Sequence, residues 1–195
     1  MRTILGFSSL VVATLAGSPS MAATEITFDD LACAAEQATY TLKSNPAFSA
    51  GFIPAKHFAS TPSNLYFWIK SPQRTYWFTF GVGVGYTGIS LGPVGDPYVA
   101  DGGDPDNGPV VIEPDDTSSR SLRIYPMQRD FTVLENPPNA GDPAPDVWFA
   151  PEIGSVLWYS PRDVTLDETA ERDPMERGVF IRTGCLKEAQ PPALP

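Results

Sequence analysis

The stretch Leu65–Leu91, LYFWIKSPQRTYWFTFGVGVGYTGISL, is the densest apolar run after the N-terminal leader. Leu65–Lys70 and Thr75–Tyr86 are rich in aromatic and β-branched residues, which fit a pleated, half-buried surface. Ser71-Pro72-Gln73-Arg74 between them is polar, with Pro72 suited to the second position of a type I turn. The pattern predicts a β-hairpin. In its second strand the even positions are Tyr76, Phe78, Phe80, Val82, Val84 and Tyr86. The odd positions run Thr75, Trp77, Thr79, Gly81, Gly83, Gly85. Side chains alternate faces along a strand, so one face is continuously apolar and the other thins to bare backbone. Glycine in a strand marks a bend or a close approach by something else. The expected cover for the Gly81-Gly83-Gly85 face is a helix or an aromatic side chain, with a ligand or partner chain as the functional alternative.

Upstream, Arg2, the apolar run Ile4–Ala16 and the small-x-small site Ser20-Met21-Ala22 compose an export leader over residues 1–22. Its apolar core is too short to span a bilayer comfortably, and no later segment has the length or apolarity of a transmembrane helix. The mature chain is expected to be exported and free of membrane spans: periplasmic in a Gram-negative source, otherwise extracellular. Roughly 170 residues then remain, enough for one domain with a proper core. We expect a single globular domain over residues 23–189 and a flexible tail over 190–195. The formal charge of −10 argues against nucleic acid and anionic membranes, where basic residues must neutralise phosphates. The 21 prolines imply short strands and long Pro/Gly/Asp loops.

The cover for the glycines is expected from Phe28–Lys43. Thr27 and Asp30 resemble a capping box, Leu31, Ala34, Ala35, Ala38 and Leu42 fall on one helical stripe, and Asn45-Pro46 ends the run. A short helical turn near Pro54–Phe58 is a further possibility. Gly92–Pro109 and Asn136–Asp146 read as loops. Val110–Glu113, Ser121–Met127, Phe131–Glu135 and Val179–Cys185 read as strands, and Val147–Ala150 with Ser155–Ser160 as another hairpin. The expected fold is therefore α+β, a mainly antiparallel sheet with an N-terminal helix packed on it. A membrane barrel is disfavoured, because too few segments approach the ten residues each strand requires.

Cys33 and Cys185 are the only cysteines. In an oxidising compartment an even count favours pairing, so a disulfide is expected to staple the two ends of the domain.

Catalytic signals are thin. Gly88-Ile89-Ser90-Leu91-Gly92 matches the nucleophile-elbow pattern G-x-S-x-G, but the elbow needs a helix next and Pro93, Gly95 and Pro97 follow. The single histidine, His57, would have to serve Ser90 as base, and no acidic residue lies between them. Asp101, Asp104, Asp106 and Glu113 concentrate hard oxygen ligands of the kind calcium prefers. Read as an EF-hand loop, they place Gly102 at the first ligand position and Asn107 where glycine is needed, so a solvated acidic turn is the default. No cofactor loop is present. The leading expectation is a non-catalytic module that binds a protein or envelope component. The alternatives are a small hydrolase using Ser90 or a carboxylate pair, and a calcium-dependent or aromatic-platform carbohydrate binder.

Overall fold

The computed structural model describes residues 32–56, 62–83, 88–99, 108–114 and 122–192. The expected leader, residues 1–22, and Gly85 lie outside these residues. Among the described residues eight strands are present: β1 (Ala38–Leu42), β2 (Ser49–Pro54), β3 (Leu65–Lys70), β4 (Thr75–Val82), β5 (Ile89–Val94), β6 (Leu122–Met127), β7 (Val147–Phe149) and β8 (Val179–Cys185). Each pairs antiparallel with the next, and β8 pairs antiparallel with β1, which closes the sheet into a barrel. Full closure leaves no open sheet edge.

This corrects the α+β expectation. Among the described residues no N-terminal helix packs on the sheet: within 32–43, Ala35–Gln37 form a single 3-10 turn and Ala38–Leu42 are β1. Ala38, Tyr40 and Leu42 are buried while Thr39 and Thr41 are half-buried, a period of two that outweighs the alanine stripe. The Gly81 face of β4 is accordingly the outside of the barrel, where Gly83 is exposed, and at Gly81 the cover comes from the next strand. A Cβ on Gly81 would lie 2.7 Å from the Ser90 hydroxyl, its register partner on β5. The same device recurs at Gly51, where a Cβ would meet the Trp68 ring at 2.6 Å, again across a register pair. A cross-strand side chain laid over a bare glycine restores contacts that the glycine lacks.

The leading hairpin is confirmed, with Phe67 opposite Phe78 and Trp68 opposite Trp77. Other segments differ from the sequence reading. Ser49–Pro54, which the sequence pattern leaves unassigned apart from the turn raised near Pro54–Phe58, is strand β2, and Gly92 lies inside β5. The run expected as strand Ser155–Ser160 belongs to α1 (Ile153–Tyr159), whose buried residues Ile153, Val156 and Leu157 sit at i, i+3 and i+4. A short apolar run does not declare its own period. Val110–Glu113 and Phe131–Glu135 contribute only isolated bridges, Val111 to Val94 and Val133 to Met127.

The lumen is filled by rings. Trp148, fully buried, has ring centroids of Phe52, Phe67, Phe80 and Tyr40 at 5.3, 5.4, 6.1 and 6.2 Å. An eight-stranded barrel is just wide enough for side chains to fill. One end is capped by α1 and the 3-10 turn Pro161–Val164, which send Ile153, Val156, Leu157 and Val164 into the same core. The other end is closed by Cys33, Ala35 and Ala144, held by Ala35 N–H to Asp142 O at 2.9 Å and Ala144 N–H to Cys33 O at 2.9 Å. The strands run from three to eight residues, below the nine to eleven or so that cross a bilayer. Their outward positions include the polar Thr39, Thr79, Ser90, Arg123 and Thr183.

Cys33 and Cys185 form a disulfide across 152 residues, with Cα atoms 5.8 Å apart. It fastens the segment before β1 to the end of β8, at the seam where the barrel closes. By the chain-entropy model a loop of that length contributes roughly 5 kcal/mol as an upper figure. Paired replacement by serine is expected to lower the denaturation midpoint strongly, and intact-mass measurement after alkylation without reductant should find no free thiol. At Gly51, valine is expected to cost on the order of 1–3 kcal/mol through collision with the Trp68 ring, measurable by urea unfolding.

Candidate functional site

The capped end carries the most exposed aromatic surface among the described residues. Helix α1 buries Ile153, Val156 and Leu157, so consecutive Trp158 and Tyr159 turn outward, 38% and 77% exposed. Tyr159 forms the ridge between two grooves. The first, about 570 Å³, runs between α1 and residues 174–177, over Asn45, Pro151, Trp158 and Met175 to Arg177. Gly154 permits that close approach, since a Cβ there would lie 2.6 Å from the Met175 carbonyl oxygen. The second groove, about 690 Å³, lies beyond Tyr159 along Pro161, Arg162, Glu171 and Arg172. The Arg172 guanidinium stands 5.1 Å over the Trp158 ring, a cation–π placement.

What holds this surface is a set of polar ties to the β3–β4 turn. Asp173 is almost fully buried. Its Oδ2 accepts a short hydrogen bond from the Ser71 hydroxyl and another from the Tyr76 hydroxyl at 3.0 Å. Its N–H donates to Leu157 O at 3.0 Å, joining the loop to α1. Gln73 Nε2 donates to Arg172 O at 3.3 Å, and Arg74 Nη1 to Asp167 Oδ2 at 2.8 Å. Hydrogen bonds from Thr169, and secondarily the Arg74 charge, hold the Asp167 carboxyl below its usual range. The N-terminal end of α1 is tied to the wall as well, by Arg123 Nη2 and Nε on Glu152 Oε1 at 2.9 and 3.2 Å.

The residues singled out from sequence fall elsewhere. Ser90 lies on the outward face of β5, opposite Gly81 on one side and Arg123 on the other. The strand continues to Val94 rather than turning into a helix. The G-x-S-x-G pattern thus has a sheet explanation: Gly88 turns the chain at φ 71°, Ser90 covers Gly81, and Gly92 accommodates Thr79. His57, Asp101, Asp104 and Asp106 lie outside the described residues, and Glu113 is exposed. Among the described residues no group of three His, Cys, Asp or Glu side chains is placed to hold a metal ion.

The aromatic ridge was not anticipated. Trp158-Tyr159-Ser160-Pro161 resembles Trp148-Phe149-Ala150-Pro151 in sequence, and both suggest strand ends. Only the second is one. The distinguishing signal was Ile153, Val156 and Leu157 at helical spacing. Compared with known proteins, the chain matches no protein-family model, no curated protein and no solved structure.

Burial raises the hydroxyl pKa of Tyr40 and of Tyr76, and at Tyr76 the adjacent Asp173 raises it further. The fold therefore favours both phenols neutral, relative to an ordinary value near 10. Their contribution is whole below about pH 10 and falls above it, because the unfolded chain releases protons that the native state retains. Urea unfolding from about pH 9 to 11.5 should show stability declining on the alkaline side, with a shallower slope in Tyr40→Phe and Tyr76→Phe.

Proposed function

We propose that this chain is an exported, non-catalytic module that binds a protein through the grooves flanking Tyr159. The observation that carries the reading is Tyr159 itself, the most exposed large aromatic side chain among the described residues, mounted on a helix whose other face is locked into the core. Protein interfaces concentrate their energy in Trp, Tyr and Arg. Here Trp158, Tyr159, Arg162, Arg172 and Arg177 adjoin one another across the two grooves. Pro151, Pro161 and Pro174 line the same surface, and rigid walls reduce the ordering cost of association. The charges are mixed, with Asp163, Glu171 and Glu176 among the arginines, which suits a polypeptide better than a polyanion. Export is supported by the leader and by the disulfide, which suits an oxidising compartment.

A photo-crosslinking amino acid at position 159 of the natively exported protein should give a discrete adduct with another protein. The same group at Thr183, exposed on the barrel wall, should not. With the partner in hand, Tyr159→Ala or Arg177→Ala should weaken binding by about 2 kcal/mol or more while leaving the thermal midpoint near wild type. Absence of an adduct at 159, or equal adducts at both positions, overturns the reading. Labelling by a fluorophosphonate that disappears in Ser90→Ala would move the assignment to a hydrolase. Retention on an envelope polysaccharide, lost in Tyr159→Ala, would move it to a carbohydrate binder.

A further inference from the structure

On the outside of the barrel, past the 3-10 turn Pro161–Val164, a second kind of site is present. Trp77 and Val94 are register partners on β4 and β5, and their outward side chains belong to a small cluster with Ile53 and Tyr66, separate from the lumen. Beside them opens a pocket of about 320 Å³ with Trp77, Val94, Val99, Val110 and Leu166 among its walls. That is the low end of the range of small-molecule sites, which combine apolar walls with a few placed polar groups. Its shape depends on Gly95, where a Cβ would lie 2.8 Å from Leu166 Cδ1. Val99 and Leu166 at its rim are each 50% exposed, surface that a bound molecule would remove from water.

Among the described residues, Asp96 is the only ionisable side chain of this lining. Its Oδ1 accepts a hydrogen bond from Tyr98 N–H at 2.9 Å, which fixes the carboxyl beside the apolar walls. Tyr98 in turn is anchored: its ring stands edge-on to Trp77 at 5.7 Å and its hydroxyl donates to Pro191 O at 2.7 Å. A fixed carboxylate uncompensated within the lining selects for positive charge, and an indole wall favours the same sign. The field of a chain with formal charge −10 draws cations toward it.

We infer that this pocket binds a small amine: an apolar body against Trp77, Val94 and Leu166, and a cationic nitrogen on Asp96. The three demands of the site are size, apolar walls and one negative charge, so three probes of equal chain length separate them. In NMR titrations of the mature protein, n-hexylamine should shift the Trp77 indole N–H resonance saturably, that resonance being identified by its loss in Trp77→Phe. 1-Hexanol should bind at least tenfold more weakly and hexanoate not at all. Asp96→Asn retains a carbonyl Oδ1 to accept from Tyr98 N–H, so the turn survives. It should reduce hexylamine affinity to the level of hexanol with the thermal midpoint unchanged. No saturable shift with hexylamine, equal affinity for hexylamine and hexanol, or undiminished hexylamine binding by Asp96→Asn would each overturn the proposal. Should Asp96→Asn fail to fold, the three probes on the wild-type protein decide it alone.

Discussion

The structure depends on closing β8 onto β1 around a lumen packed with aromatic rings. Eight strands of this length bury little individually, and a hairpin alone is marginal in water. Closure turns the inward side chains of all eight toward one another, with Trp148 as the common neighbour of Tyr40, Phe52, Phe67 and Phe80. Deleting a buried ring of this size costs about 3–5 kcal/mol, comparable to a large share of a domain's net stability. The seam is irregular: Thr39 pairs with Gly184 and Tyr40 with Arg182, so one residue of β8 is skipped. A bulge of this kind sharpens strand twist and helps a sheet bend. The disulfide reinforces that same seam.

Arg182 shows what the seam costs and how the cost is met. It lies on β8 beside Tyr40, almost buried, with Nη2 on Asp146 Oδ1 at 2.6 Å and its own N–H on Asp146 O at 2.9 Å. A buried ion pair gains nothing unless its hydrogen bonds are made. Here the backbone bond and the ion pair engage the same aspartate, while Tyr40 donates to Pro145 O at 2.8 Å. Removing one partner alone would strand the other, at about 3–5 kcal/mol.

Much of this was legible in the sequence, and the failures share one cause. The hairpin expected at Leu65–Lys70 and Thr75–Tyr86, the strands expected at Ser121–Met127 and Val179–Cys185, and the disulfide were readable from alternation, composition and cysteine count. The first error was β1, where alanines at helical spacing competed with Ala-Thr-Tyr-Thr-Leu at strand spacing. In isolation both patterns are present, and the choice is made by Tyr40 reaching Phe52 and Trp148 in the lumen. The second was α1, whose seven residues carry too few turns to reveal their period. Barrel closure was illegible for the same reason: nothing local to Val179–Cys185 states that its partner is Ala38–Leu42.

The bare glycine face illustrates how a correct observation led to the wrong neighbour. The outward face of β4 does lose its side chain at Gly81, and something does approach there closely, but the approach comes sideways from β5 rather than from a layer above. Ser90 over Gly81 and Thr79 over Gly92 are reciprocal, so each strand supplies the atoms that the other lacks. This keeps the two strands narrow on the outside while rings fill the inside, a division of volume that suits a small closed barrel. It also determines where function can reside. With the lumen occupied and parts of the outer wall filled by such pairs, free surface chemistry moves to the ends and to the loops. There Asp173 fixes one aromatic ridge from below, and Asp96 marks a second, smaller hollow on the wall.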